Sequence, residues 1–351
     1  MSTYTHFVYI GRFNPPHNMH IEQIRRGLSL ADRGIVILGS HLKARDPKDP
    51  FNTAEREKMI HDSLTSEENR RIDYIHMPDF KYNNPMWLAS LEHKVDDIST
   101  ILETPRICIV GAEKDRTSWY LNHLPSHWKR ELSMGSAKLN ATDIRRWFFD
   151  KGIGPYVRDN CPEGTLRFLE YFITTDRYTS LSSLHKYHSD YDSSKYPRND
   201  LTADVMVVKD GHALVIKRGF NPGKGLYALP GGFVSPKETI IDAAFRELKE
   251  ETGIVFPIYD MKRKYIVDQQ YFDAIDRSLR SRIVTFVFCV KLPDGGSLPQ
   301  VKGGDDADKA MWIPIMELGH MQDQFFEDHY HIINYFASKY VGSRFFDEEL
   351  R

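Results

Sequence analysis

One short segment, residues 232–254, concentrates the acidic side chains that are best placed to do chemistry; it reads GFVSPKETIIDAAFRELKEETGI. Glu247, Glu250 and Glu251 follow one another at helical spacing, so a helix brings their carboxylates to one face. Like charges packed there destabilise a bare helix, and a hard divalent cation, which prefers oxygen ligands, relieves the repulsion. The pattern predicts a metal site. The alternative is a solvated acidic helix without a function.

A second candidate site lies near the start of the chain, where residues 11–20 read GRFNPPHNMH. Gly11 ends a strand-like run, two prolines turn the chain, and His17 and His20 stand one helical turn apart. Free N–H groups at a helix start favour phosphate, and both imidazoles can hydrogen-bond a phosphate chain. The alternatives are a surface histidine pair without a role and a zinc site, for which no third ligand is suitably spaced.

The elements around these residues predict two different folds. Strand-like and helix-like segments alternate in the first part, which predicts an α/β domain with a doubly wound parallel sheet and ligands at the carboxyl ends of its strands. The second part, with a hairpin signal at 209–211, predicts an α+β domain. We therefore expect a first domain over 1–187, a polar linker over 188–200 and a second domain over 201–351.

Composition supports two soluble domains. The chain has 351 residues, which is more than a single hydrophobic core normally stabilises. Its net charge of −2 gives no reason to expect a nucleic-acid partner. The sequence shows neither a secretion signal nor an apolar stretch long enough to span a membrane, so we expect no membrane partner. Its three cysteines form no disulfide or zinc pattern, and the cytoplasm is the expected location.

The acidic segment resembles the Nudix box, Gly-x5-Glu-x7-Arg-Glu-apolar-x-Glu-Glu-x-Gly-apolar, at every fixed position. The resemblance implies hydrolysis of a nucleoside diphosphate derivative with Mg²⁺ or Mn²⁺. Glu247, Glu250 and Glu251 would be metal ligands, and Glu250 and Glu251 catalytic. The segment before the box and the loop after it resemble those of ADP-ribose hydrolases, which implies substrate contacts from Arg218 and from Arg277 or Arg282. Asp305 or Asp306 is the candidate general base.

The 11–20 segment resembles the GRFxPFHxGH signature of the nucleotidyltransferase superfamily, and residues 140–145 resemble its late motif. Further segments resemble archaeal-type nicotinamide mononucleotide (NMN) adenylyltransferases, so the whole chain resembles the bacterial bifunctional NMN adenylyltransferase/Nudix hydrolases. Met19 and Pro16 depart from the signature, which usually has Gly and Phe there. The resemblance implies catalytic roles for His17, His20 and Arg145. The implied substrate-binding residues are Gly11, Arg12, Phe13, Arg45, Trp87, Lys114, Asp115 and Thr142.

The resemblance implies two reactions. One transfers adenylyl from ATP to NMN, giving NAD and pyrophosphate, and the other hydrolyses ADP-ribose to AMP and ribose 5-phosphate. A rival interpretation is an adenylyltransferase for another phosphate acceptor, such as pantetheine phosphate, fused to a Nudix domain that senses a nucleotide or cleaves a different one. The sequence leaves open the choice of NMN or nicotinate mononucleotide, and whether the chain forms a homo-oligomer.

Overall fold

The computed structural model describes residues 2–99, 104–112, 120–133, 139–191, 199–255, 264–304 and 307–340. The chain divides into two compact units, Met1–His185 and Lys186–Arg351. Among the described residues, no helix combines the length and the apolar character that crossing a bilayer requires.

The first unit is built on a parallel sheet with strand order β3-β2-β1-β4-β5. Neighbouring residues of β1 point to opposite faces of the sheet. Phe7 therefore joins a core cluster beneath α1 (Asn18–Leu30), while Val8 joins a different cluster beneath α4 (Asn84–Ser99). The prediction of a doubly wound parallel sheet is confirmed. The strands of this unit are β1 (Tyr4–Gly11), β2 (Ala31–His41), β3 (Ile72–Pro78), β4 (Ile107–Ala112) and β5 (Lys129–Ser133).

Helices cover both faces of this sheet and form a further apolar cluster around Phe51, Ile144 and Phe148. A capping box formed by Asn52 and Glu55 begins α2 (Thr53–His61). The helices are α1 (Asn18–Leu30), α2 (Thr53–His61), α3 (Ser66–Asn69), α4 (Asn84–Ser99), α5 (Ala141–Lys151), α6 (Pro155–Asn160), α7 (Glu163–Phe172) and α8 (Asp176–Tyr191).

The second unit is a mixed sheet with central order β10-β11-β6-β7-β12, in which β8 and β9 pair with β7 and β6. Among the described strands of this unit, only β6 and β11 pair in parallel. The predicted hairpin is present, with Asp210 and Gly211 both at positive φ. The strands are β6 (Asn199–Lys209), β7 (His212–Arg218), β8 (Tyr227–Ala228), β9 (Gly231–Phe233), β10 (Ile266–Phe272), β11 (Arg282–Lys291) and β12 (Ala307–Pro314).

Helix α9 (Ile240–Thr252) carries the acidic segment and packs its apolar side, with Ala244 and Leu248, on β6. Thr239 caps its start, and Gly253 ends it in the left-handed conformation that glycine adopts without strain. A 3-10 segment, Ile315–Gln324, leads to the last described helix, α10 (His329–Tyr340). This mixed α+β architecture confirms the predicted fold class of the second part.

Both ends of the predicted 188–200 linker lie in regular elements. Helix α8 continues to Tyr191 and strand β6 begins at Asn199, while residues 192–198 lie outside the described part of the chain. The domain limits 1–187 and 201–351 remain predictions, and any separation of the halves should spare both elements.

We expect fragments 1–191 and 199–351 to fold when they are expressed apart, because each unit has its own apolar cores. Circular dichroism during heating should show one cooperative transition for each fragment. A soluble fragment that melts without a cooperative transition would contradict the prediction.

Candidate active sites

The 11–20 turn begins where β1 ends at the carboxyl edge of the parallel sheet. Phe13 is buried at a positive φ, and its ring fills the space that a side chain on Gly11 would need, because a Cβ there would lie 2.8 Å from Phe13 Cζ. The same ring packs edge-on against His20, with 4.8 Å between ring centroids. Phe13, which was predicted to bind substrate, therefore supports His20, whereas Arg12 is exposed to solvent.

His17 and His20 are held together at the start of α1. Their rings stack with centroids 3.5 Å apart, and the His17 backbone N–H donates to His20 Nδ1 at 3.2 Å. His17 is 2% exposed, whereas His20 is half-buried. The predicted histidine pair is thus packed into the turn, with one imidazole buried and the other half-buried.

Arg145 on α5 reaches the same turn. Its Nη1 donates to the Asn14 carbonyl at 2.5 Å and its Nη2 to Thr142 Oγ1 at 3.1 Å. Burial lowers the pKa of Arg145, an effect that the nearby Asp49 carboxylate opposes. The late motif and the 11–20 turn, far apart in sequence, are therefore joined in space as predicted.

Asp49, which the sequence analysis did not single out, lies directly behind this turn. Its carboxylate accepts hydrogen bonds from the Lys43 amine and from Asn14 Nδ2, the second at 3.4 Å. Burial alone would raise the pKa of Asp49, but the charges of Lys43, Arg12 and Arg145 hold it well below its usual range. A buried anion thus lies among the cations that were predicted to bind phosphate.

Arg56 is a second residue that the sequence analysis missed. It is 1% exposed, and it donates to the carbonyls of Arg12 and Gly39, where β1 and β2 approach the site. Burial lowers its pKa to about 10. Arg45, by contrast, forms a two-point ion pair with Glu55 at 2.7 and 3.0 Å, so in this state its guanidinium braces the loop.

The structure locates only part of the predicted acceptor site. Trp87 on α4 is half-buried and lies 5.6 Å from the Tyr120 ring, measured between centroids. Trp87 also packs against the apolar cluster beneath α4, so part of its ring belongs to the core. Lys114 and Asp115 lie outside the described residues.

In the second unit, Arg246 binds three of the carboxylates of the acidic segment. It forms a two-point pair with Glu238 at 2.8 and 2.9 Å, and its Nη1 donates at 2.9 Å to both Glu247 and Glu250. The hydrogen bonds from Arg246 lower the pKa of Glu238 to about 2. Arg246 is therefore the local counter-charge that keeps the acidic face stable.

Glu251 lies on the buried side of the same helix. It is 3% exposed, and its Oε2 accepts the Gly231 N–H at 2.9 Å. Burial raises its pKa to about 8, and the neighbouring charges of Glu247 and Asp204 act in the same direction. A Cβ on Gly232 would lie 2.3 Å from Glu247 Oε1, so a larger residue there would displace the Glu247 carboxylate.

Asp204, buried on β6, is a further carboxylate that the sequence analysis missed. It accepts a hydrogen bond from Thr285, and burial raises its pKa to about 7. A Cβ on Gly231 would lie 2.1 Å from Asp204 Oδ1. Asp204 therefore lies directly behind the strand that donates to Glu251.

The donor chemistry of this face fits a hard divalent cation, because Glu247, Glu250 and Glu251 offer only carboxylate oxygens. Within the described ranges, however, no three His, Cys, Asp or Glu side chains converge closely enough to hold a metal ion. Arg246 binds Glu247 and Glu250, while Gly231 binds Glu251. Binding of a cation here therefore requires these side chains to rearrange so that they converge, and each carboxylate can keep one oxygen on its present donor while it offers the other to the metal.

The basic residues predicted to contact the second substrate have different environments. Arg277 is 3% exposed and forms a two-point pair with the buried Asp328 at 2.9 and 3.1 Å, so its guanidinium is a structural link in this state. Arg218 stacks on Phe326 at 4.3 Å from the ring centroid, and Arg282 contacts Asp273. Asp305 and Asp306 lie outside the described residues.

Comparisons with known proteins find relatives of each part of the chain. A family model described as cytidylyltransferase-like matches residues 8–184, and a NUDIX domain model matches residues 198–336. A nicotinamide/nicotinic acid mononucleotide adenylyltransferase of Acinetobacter baylyi is 30% identical over 53% of this chain and 96% of its own length. An ADP-ribose pyrophosphatase of Methanocaldococcus jannaschii is 36% identical over 34% of this chain and 63% of its own length.

One solved structure matches almost the whole chain. It is a bifunctional NMN adenylyltransferase/ADP ribose pyrophosphatase from Francisella tularensis, complexed with AMP and a manganese ion. Its TM-score is 0.87 at 29% identity, and the match covers 96% of this chain and 99% of that chain. The two units described above are therefore similar to the two parts of a single solved enzyme.

We expect the Arg277→Met variant to destabilise the second unit by about 3–5 kcal/mol, because it leaves the Asp328 carboxylate buried without its partner. The matched control is Arg282→Met, which removes a more exposed contact with Asp273 and should cost less than about 1 kcal/mol. Urea unfolding of the second unit checks both values. Equal costs for the two variants would contradict the structural role of Arg277.

Proposed function

We propose that this chain, which belongs to the cytidylyltransferase-like family and carries a Nudix domain C-terminal to the matched residues, catalyses two reactions. The first transfers adenylyl from ATP to NMN, and the second hydrolyses ADP-ribose to AMP and ribose 5-phosphate. The matches confirm the resemblance that was inferred from the motifs. The observation that carries the proposal is the junction of His17, His20 and Arg145 at one turn, in a chain that also has the acidic helix.

In the first reaction, a 5′-phosphate oxygen of NMN attacks the α-phosphorus of ATP. The bond from that phosphorus to the bridging oxygen breaks, and pyrophosphate leaves. Such transfer needs positioning and charge stabilisation more than covalent help from the protein. We assign to His17 and His20, at the helix start, hydrogen bonds to phosphate oxygens, and to Arg145, which donates to the Asn14 carbonyl, the positive charge beside them.

In the second reaction, a water oxygen attacks one phosphorus of the pyrophosphate link, the bridging P–O bond breaks, and a proton is released. Glu247, Glu250 and Glu251 would hold the divalent cation, for which we propose Mg²⁺. When bound, the cation neutralises charge on the pyrophosphate oxygens. Arg246 and the Gly231 N–H orient these carboxylates, and Asp305 or Asp306 remains our candidate for accepting the proton.

The proposal also names the molecule that accepts the adenylyl group, NMN. Trp87, on α4 of the same unit, offers a half-buried aromatic ring for a planar base such as nicotinamide. Incubation with ATP and Mg²⁺, and with NMN, nicotinate mononucleotide or phosphopantetheine as acceptor, tests it. We expect dinucleotide from one or both mononucleotides, and product from phosphopantetheine alone would overturn the proposal.

The cellular location is also proposed rather than observed. All three cysteines are free and buried. Free thiols persist in a reducing compartment, so we propose the cytoplasm.

Replacing His20 with Ala should lower NAD formation about 10²-fold or more, since it removes a contact to the phosphates that strengthens in the transition state. Hydrolysis of ADP-ribose should not change. The surface variant His61→Ala, on the same unit, is the matched control and should make NAD at the parental rate. A His20→Ala protein that also makes NAD at that rate would remove His20 from the site.

Replacing Glu250 or Glu251 with Gln should lower ADP-ribose hydrolysis by more than about tenfold, because each change deletes a charged metal ligand with almost no change in volume. NAD formation should stay near the parental rate. Glu317→Gln, at an exposed position of the same unit, is the control. Hydrolysis that persists within about tenfold in both variants would show that the metal face is assigned wrongly.

A further inference from the structure

Asp49 is a buried carboxylate that neither reaction, as described above, uses. It lies in the loop between β2 and α2 and is 5% exposed. Its two oxygens are engaged on different sides, one with the Lys43 amine and the other with Asn14 Nδ2. A charge with so little access to water is retained only where positive partners surround it.

The partners of Asp49 are connected to the catalytic turn. Asn14, which donates to Asp49, lies in the 11–20 turn, and its carbonyl accepts from Arg145. Asn14 also accepts the Phe51 N–H through its side chain at 3.3 Å, which ties the loop of Asp49 to the turn. The carboxylate therefore lies directly behind the residues that are assigned to the ATP phosphates.

Lys43 is the partly exposed member of this network. Its amine contacts Asp49 and lies 3.1 Å from Asp46, and its side chain is 30% exposed. A lysine amine is a point charge on a flexible stem, so it can change partners without any change of the backbone. A substrate phosphate offers the same kind of anionic oxygen that Asp49 now supplies.

We propose that Asp49 is an internal counter-anion that positions Lys43 in the nucleotide-free protein, and that Lys43 exchanges Asp49 for a phosphate oxygen of ATP or pyrophosphate. This inference rests on the proposed adenylyl transfer. The negative charge of Asp49 remains next to the turn after Lys43 has moved to the phosphate. It therefore repels bound pyrophosphate, weakens its binding and favours the release of this product. A buried charge acts strongly here, since salt screens it little.

The test uses the full-length protein and pyrophosphate with Mg²⁺ as the probe, in isothermal titration. Asp49→Asn keeps the side-chain shape and removes the charge, so the dissociation constant should fall about tenfold, a change of about 1.4 kcal/mol. The KM for ATP should fall with it, and kcat should fall if pyrophosphate release limits turnover. Asp73→Asn, which neutralises a surface carboxylate paired with Arg33, is the control and should leave binding unchanged.

Lys43→Gln tests the exchange separately, because it changes a partly exposed side chain. This variant should bind pyrophosphate more weakly than the parent, and the gain from Asp49→Asn should be lost when both changes are combined. Unchanged or weaker binding by a folded Asp49→Asn protein would overturn the inference and leave Asp49 a structural residue. If the tighter pyrophosphate binding persists in the double variant, or if Lys43→Gln binds pyrophosphate as well as the parent does, the proposed exchange of partners by Lys43 is wrong.

The parent protein separates this inference from the function on which it rests. A parent that makes NAD while Asp49→Asn binds pyrophosphate no better shows that the inference alone is wrong. A parent that neither binds pyrophosphate nor makes NAD shows that the proposed transferase function is wrong.

Discussion

A charged group that leaves water must meet opposite charge or several hydrogen-bonding groups, because its desolvation costs several kcal/mol. Both units of this chain are organised by that constraint. In the first unit, Arg145 and Arg56 are buried against carbonyl groups of the 11–20 turn and its neighbouring strand. In the second unit, Glu251 is buried against the N–H of Gly231, and Arg246 neutralises the exposed side of the same helix.

The constraint explains why these sites are preorganised. In the first unit, two groups that we propose as catalytic are held by neighbours: Phe13 packs against His20, and the Asn14 carbonyl accepts from Arg145. Groups held in this way lose little freedom when the substrate binds, so more of the binding energy remains for the transition state. The acidic helix differs, because its carboxylates must rearrange before they can converge on a cation.

The motifs predicted the fold class and the positions of the main groups because their spacing has direct geometric meaning. The three-residue step from His17 to His20 and the short steps from Glu247 to Glu251 need only a helix to become neighbours. Asp49 could not be found in this way, because in sequence it looks like one solvated residue of a polar loop. Only the folded contact with Lys43 shows its burial.

For Arg277, the sequence pattern suggested a substrate contact but did not reveal the structural ion pair with Asp328. In sequence, its basic loop resembled a substrate loop, but Asp328 lies far away in the chain and pairs with it only in the folded unit. Long-range pairing of this kind has no local pattern, so the sequence could not tell a phosphate ligand from a structural cation. Arg56 and Asp204 were missed for the same reason, since their burial depends on strands that are distant in sequence.

The central claim is that one unmodified chain carries both chemistries. Phosphorus NMR of a single preparation, given first ATP, NMN and Mg²⁺ and then ADP-ribose, tests it most directly. We expect equal amounts of dinucleotide and inorganic pyrophosphate in the first phase, and equal amounts of AMP and ribose 5-phosphate in the second. Consumption of ATP to ADP and phosphate without dinucleotide, or intact ADP-ribose in the second phase, would contradict it.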